Sequence, residues 1–547
     1  MSKYQKVFFL MAVALMLLPA LALSESLSLA QEESGVRIDW YKRGDGYYLF
    51  LPAGLSAEEM TVAFDGEGDL SLDGTPLSPG DRAAGFTEGE HMLSSGKRTY
   101  RINVMRSAKI PALFIDTQSG SLNHIHAKKG NSEPGTMTFF SAEGEILYGG
   151  ALDHVKSRGN ASFNFEKKSY QIKLAHAAPL CGPDSAKRWI LIGNPRDKSL
   201  LRNRITLDMA RAAGIFSTPE CASVDLYVNG EYLGNYLLTE KVEINEGRVD
   251  IADLEKATEE LNDGDLTIYD RVGSRERSDG TGKAYAIPND PQDITGGYLL
   301  EYEAYAARYA QEPSAYGTKK GATVVVKSPE YASEAQMAYI SSLIQSFENA
   351  IYAQDGVDPD TGRHYTQIAD LGSLVRKYLI EEISKNYDGN TSSQFFYKPA
   401  DSESTLLYAG PAWDYDSAYG AYAREAGMSV LKPTGLYVAA SSQKKHWWPA
   451  LYKQEDFHQE TVRVYQETFS PLIAGLLGEA DGEGLRSLAD YRDEIAASAA
   501  MNFVRWPFST ESSKGVKLSS TFEGNVSILE EFIRERRDFL NGEWPDA

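Results

Sequence analysis

Asp370-Leu371-Gly372-Ser373-Leu374-Val375-Arg376-Lys377-Tyr378-Leu379-Ile380-Glu381-Glu382-Ile383 leads into the polar run Asn386-Tyr387-Asp388-Gly389-Asn390-Thr391-Ser392-Ser393. After Gln394-Phe395-Phe396-Tyr397 and Thr405-Leu406-Leu407-Tyr408 the chain reaches Gly410-Pro411-Ala412-Trp413-Asp414-Tyr415-Asp416. The first part predicts a helix. Asp370 can cap it, and Leu371, Leu374, Val375, Tyr378, Leu379 and Ile383 recur at the spacing of one buried stripe. The two short apolar runs, with a turn from Pro399 to Ser404 between them, predict a hairpin. A hairpin returns the chain to its starting edge, so the Asp388 loop and the Asp414 loop should open on the same side.

Two carboxylates delivered this way have three main uses. They can orient a hydroxyl and bind Mg²⁺ in phosphoryl transfer. They can serve as acid and nucleophile of a glycosidase, here Asp388 with Asp414 or Asp416. They can hold a structural Ca²⁺. The order helix, acidic loop, hairpin, acidic loop is the one phosphoryl-transfer enzymes of the protein-kinase type use, whereas a glycosidase pair needs no such unit.

A second signal lies upstream, in Lys156-Ser157-Arg158-Gly159-Asn160 and in Lys167-Lys168-Ser169-Tyr170-Gln171-Ile172-Lys173-Leu174. Strand alternation puts Tyr170, Ile172 and Leu174 on the buried face, and Lys168 shares their parity. A lysine placed inward needs an anionic partner, and nucleotide phosphate is one; the alternative is that Lys168 sits at the strand start and snorkels outward.

Working outward, residues 31–108 carry short alternating runs separated by Asp45-Gly46, Asp65-Gly66 and Asp73-Gly74, the pattern of a small Ig-like β-sandwich. From about residue 110 to 540 the pattern is α+β. Asn229-Gly230 between alternating runs marks a hairpin. Asp197 can cap a helix carrying Leu200, Leu201, Ile205 and Met209 and stopped by Gly214. Residues 255–296 are polar, acidic and glycine-rich and read as an insertion. Met337, Ile340, Leu343, Ile344, Phe347 and Ile351 share one helical face.

The chain has 547 residues, 42% of them hydrophobic, so it can bury several cores. Asp+Glu number 77 against 55 Lys+Arg, a net charge of -22 that argues against a nucleic-acid partner. Lys3 and Lys6, the apolar run Val7–Leu18 and the small residues around Ala22 and Ser24 have the order of a secretory signal peptide over residues 1–24. No later stretch is apolar enough to span a bilayer, so the expected product is secreted or attached to the cell surface. Two cysteines, Cys181 and Cys221, exclude a disulfide framework but could pair in an oxidising compartment.

Six motifs in order carry a resemblance: Arg158-Gly159-Asn160 with Lys168-Ser169-Tyr170; Asp197 to Asn203; Asn229-Gly230 with Gly234-Asn235-Tyr236 and Glu240; Gly296 to Glu301; Asn386-Tyr387-Asp388-Gly389; and Trp413-Asp414-Tyr415-Asp416. Together they resemble the CotH (spore coat protein H) kinase family over roughly residues 110–540. The resemblance implies an atypical protein-kinase-like fold, with a strand-rich N-lobe and a mostly helical C-lobe. It also implies ATP with Mg²⁺ or Mn²⁺ as cofactors, and transfer of the γ-phosphoryl group to Ser/Thr of a protein partner at the surface or spore coat. Asp388 then matches the catalytic-loop aspartate and Asp414 the metal-binding aspartate, with Asp416 as a further metal group. Lys168 is the expected phosphate lysine, and Arg158 and Arg202 are the other basic positions facing phosphate.

One departure stands out. Kinases place an asparagine five residues beyond the catalytic aspartate to hold a metal; that position is Ser393 here, with Asn390 as the nearest amide. A Gly-x-Gly-x-x-Gly phosphate loop is also missing, so a catalytically degenerate interaction module is the alternative expectation. Walker A, Gly-x-Ser-x-Gly and His-Glu-x-x-His motifs are missing as well. His124-Ile125-His126 would put two imidazoles on one strand face without the further ligands zinc needs. Lys444-Lys445-His446-Trp447-Trp448 reads as the packed start of a helix.

Overall fold

The computed structural model describes residues 25–160, 162–273, 282–441, 446–480, 484–508 and 513–545. The expected signal peptide and Lys444-Lys445 lie outside these residues. Helix and strand contribute nearly equal shares, 30% and 29%, so the chain is mixed α+β. It divides into two compact units. One comprises the described residues up to Leu51, Leu55–Arg106 and Gly230–Tyr232; the other comprises Pro52–Gly54, Ser107–Asn229 and Leu233 onward.

The smaller unit holds two sheets. In the first, Ser26–Gln31 lies between Val36–Asp39 and Thr61–Asp65, all antiparallel. The second has six strands in the order Tyr41–Arg43, Gly46–Leu51, Arg98–Arg106, Gly89–Ser95, Leu70–Leu72, Thr75–Leu77. Period-2 burial explains them: His91, Leu93 and Ser95 are buried while Met92, between His91 and Leu93, is exposed. The pair Gly46–Leu51 with Arg98–Arg106 is parallel.

The larger unit begins with a closed seven-stranded barrel. Its strands are β1 (Ala112–Thr117), β2 (Ser132–Phe140), β3 (Ile146–Arg158), β4 (Ser169–Ala178), β5 (Ala186–Ile192), β6 (Cys221–Val228) and β7 (Glu231–Glu240), in the order β1-β2-β3-β4-β5-β7-β6. Closure leaves no edge unpaired. Leu113, Met137, Val155, Ile172, Trp189 and Leu226 join in its core. Asn229 and Gly230 both have positive φ, as a tight Asn-Gly turn requires. Both cysteines are buried free thiols. His124 and His126 sit on a short helix, Asn123–Ala127, not on a strand, because only Ile125 between them is buried there.

A seven-stranded sheet follows: β8 (Arg271–Val272), β9 (Gly282–Tyr285), β10 (Tyr298–Tyr302), β11 (Ala315–Gly317), β12 (Thr323–Ser328), β13 (Gln394–Lys398) and β14 (Tyr408–Ala409), in the order β8-β9-β11-β12-β10-β13-β14. The polar stretch 255–296 contributes a helix, Leu254–Leu261, and two of these strands. The main helices are α1 (Arg202–Ala212), α2 (Glu334–Tyr352), α3 (Leu371–Ser384), α4 (Leu488–Arg505) and α5 (Phe522–Glu543). Ser333 caps α2 in a capping box and Asp370 caps α3 through the Ser373 amide. Asp197 does not cap α1, whose first turn starts at Arg202. Its carboxylate instead accepts from the Ser199 and Arg202 amides in the turn before the helix. Among the described residues no helix is long and apolar enough to cross a membrane.

Candidate active site

The α3 helix ends at Lys385, which takes the left-handed conformation. The chain then makes a single tight turn, Tyr387–Asn390, held by the Asn386 side chain accepting from the Asp388 amide. β13 and β14 pair as a hairpin, Phe396 opposite Ala409 and Tyr397 opposite Tyr408, the second strand being shorter and later than the expected run Thr405–Tyr408. They carry the chain back to Trp413-Asp414-Tyr415-Asp416. Asp388, Asp414 and Asp416 all line one open cleft of about 890 Å³. Alternation within Asp414-Tyr415-Asp416 is visible in burial: the two carboxylates are half-buried at the cleft, and Tyr415 between them is fully buried.

Like charges in a confined space decide the electrostatics. Burial holds the Asp388 carboxyl well above the ordinary carboxylate range, and the Asp414 and Asp416 charges add to it. Asp416 is raised for the same reasons, burial first and Asp414 second, while Arg196 opposes the shift. The Thr391 hydroxyl donates to Asp388 Oδ1 at 3.0 Å, and Ser417 donates to Asp416 Oδ1 at 2.9 Å. Asp414 and Ser393 both have positive φ, at 70° and 58°, a strained conformation for non-glycine residues. The Ser393 hydroxyl donates to Asp414 Oδ2 at 3.3 Å.

Of the basic residues expected at phosphate, Arg158 lines the cleft and packs over the Trp413 ring at 5.5 Å. Burial pulls its guanidinium below its ordinary value, and Asp414 and Glu301 pull it back. The structure does not bring Lys168 or Arg202 to the cleft lining. The ammonium of Lys168 donates to the Phe163 and Phe165 carbonyls at 2.6 and 3.2 Å. Its neighbour Lys167 is the buried one, bonded to Asn235 O and Asn502 Oδ1. The inward parity of Lys168 fails because β4 starts only at Ser169, after an irregular turn. Arg202 is buried against Asp197, Ser199 and the Ala418 carbonyl. Asn390 faces away from the cleft: its Nδ2 donates to Val438 O at 3.1 Å, and its Oδ1 is buried without a partner. His126 is bonded through Nε2 to the Tyr170 hydroxyl at 2.9 Å.

Sequence reasoning passed over an ion pair in the same cleft. Lys327 on β12 lies 3.9 Å from Glu301 on β10 and 3.1 Å from Glu312. The Ser393 amide donates to Glu301 at 3.1 Å. Burial pushes the Glu301 carboxyl up to about 7 against the pull of Lys327. Parity could not have found Lys327, because Val324, Val325 and Val326 before it are all buried and the strand shows no alternation.

The donor set suits a hard divalent cation. It consists of carboxylate and hydroxyl oxygens, the ligand type such cations take. Among the described residues no group of three or more His, Cys, Asp or Glu is placed to hold a metal ion.

A closed barrel and an antiparallel sheet frame a cleft lined by carboxylates and arginines. The profile of the CotH kinase protein family matches residues 155–540, most of the chain, and the chain belongs to that family. No curated protein matches it.

Proposed function

We propose that the protein is an ATP-dependent protein kinase that phosphorylates Ser/Thr of a surface or spore-coat protein after export. The observation that carries this reading is the convergence of Asp388, Asp414 and Asp416 on one cleft with Arg158, in a chain of the CotH kinase family. The barrel and the β8–β14 sheet with its helices would correspond to the two kinase lobes. Asp388, whose environment already favours a bound proton, would take the proton of the substrate hydroxyl as that oxygen bonds to the γ-phosphorus and ADP departs. Asp414 and Asp416 would hold a divalent cation, whose charge offsets that of the transferring phosphoryl group. Arg158 would face the phosphates, and the Lys327–Glu301 pair supplies the cleft lysine that Lys168 does not.

One observation favours a catalytically degenerate module instead. Position 393 carries a hydroxyl, a poorer metal ligand than the amide kinases use there, and it donates to Asp414. A single assay decides. The full chain is incubated with radiolabelled ATP and Mn²⁺ beside Asp414→Ala. Label transferred to protein by the wild type and lost in the variant supports the kinase; no transfer and no nucleotide binding in either leaves the module.

A further inference from the structure

Two loops that meet at a cleft need something to fix their separation, and the structure supplies it behind the cleft wall. Glu381, in the last turn of α3, is fully buried. Its Oε1 accepts from Lys377 Nζ at 2.5 Å and from the Tyr415 hydroxyl at 2.8 Å. Its Oε2 accepts from Asn386 Nδ2 at 2.9 Å, and the same amide nitrogen reaches the Asp414 carbonyl at 3.2 Å. Asn386 Oδ1 in turn receives the Asp388 amide. One carboxylate thus holds the residue between the two cleft aspartates on one oxygen, and the residue that shapes the Asp388 turn on the other. The Tyr415 amide is also held, by Asn203 Oδ1 at 2.7 Å.

Burying this carboxylate is costly unless every lone pair is used. Lys377 alone would neutralise it, one turn away on α3. The tyrosine and asparagine bonds are not needed for charge balance; what they add is a fixed distance between two loops. We propose that Glu381 is the positioning residue of this site, a buried strut that sets the Asp388 loop against the Asp414 loop through Asn386 and Tyr415. Its consequence for rate rests on the kinase reading above; the strut itself does not.

The test uses the full chain as wild type, Glu381→Gln, Tyr415→Phe and the double variant. Tyr415→Phe keeps the ring packing and loses one hydroxyl, so it remains informative should Glu381→Gln not fold. Amide hydrogen exchange should quicken about tenfold in both 386–391 and 413–419 in each single variant, with α2 unchanged. Faster exchange in only one of the two loops, or in neither, overturns the strut. In the transfer assay with ATP and Mn²⁺, kcat should fall tenfold or more while KM for ATP stays within threefold. The double variant should be no worse than the worse single, since the hydroxyl lost in Tyr415→Phe bonds the same carboxylate that Glu381→Gln alters. Losses that multiply, or kcat unchanged in the folded variants, overturn the positioning role. A wild type with no transfer sinks the kinase reading alone, because the exchange data still decide the strut.

Discussion

Asp388 is held in a state that costs stability. Burial first, and then the charges of Asp414 and Asp416, disfavour its ionised carboxylate, so Asp388→Asn should raise the unfolding free energy of the metal-free protein by about 1 kcal/mol after allowing for the open side of the cleft. The same change should abolish phosphoryl transfer. Urea titration beside the label assay checks both halves, and a destabilised Asp388→Asn would mean the carboxylate is structural. Asp414→Ala should cost on the order of 10³ or more in rate, because charge neutralisation at the transferring group is a leading catalytic contribution; a tenfold loss would make it peripheral. Away from the cleft, burial pushes the Cys221 thiol up to about 12 and the Cys181 thiol upward as well. Native protein at pH 8 should therefore react with a thiol reagent only as fast as it unfolds. The neutral thiol of Cys221 is favoured by the fold. Its stability contribution is complete below about pH 9, the ordinary value, and is lost as pH rises from about 9 to 12, because the unfolded chain releases its proton first.

At the scale of elements, the end of α3 does more than terminate a helix. Glu382 accepts from the Tyr437, Val438 and Ala439 amides and from Arg536 on α5. Lys385 donates to the Ser429, Lys432 and Thr434 carbonyls. Together they fasten the segment after Asp416 to the same helix that carries Glu381. Arg536→Met strands a buried carboxylate and should destabilise by about 3 kcal/mol, the lower part of the range for a broken buried pair, since three amides still serve Glu382. Lys385→Met leaves three carbonyls unpaired and should cost about 2–4 kcal/mol. Chemical denaturation of either variant, read by tryptophan fluorescence, gives the number, and a change below 0.5 kcal/mol would show the contacts to be incidental.

For the whole molecule, the proposed cation binding would be linked to folding. Mn²⁺ with ATP at a hundredfold excess over the dissociation constant should stabilise the wild type by about 2.7 kcal/mol. Asp414→Ala should show little of that shift in thermal unfolding. Equal stabilisation of both would place the cation away from Asp414.

The unit that carries the aspartates was legible in the sequence because its signals are local. An Asp cap, a helical stripe and two short apolar runs specify α3 and the hairpin, and a hairpin brings its flanking loops together whatever surrounds it. What failed was parity extended past a strand end, as at Lys168, where an irregular turn breaks the two-residue period. The Lys327–Glu301 pair was hidden for a different reason: β12 and β10 are neighbours only through sheet order, which no local pattern records. Glu381 looked like one more charge at the end of a helix, and only packing shows that its partners arrive from two loops. Sequence alone thus determined which carboxylates could meet. Tertiary structure decided which cations face them and what holds them apart, because those contacts join segments whose separation along the chain carries no periodic trace.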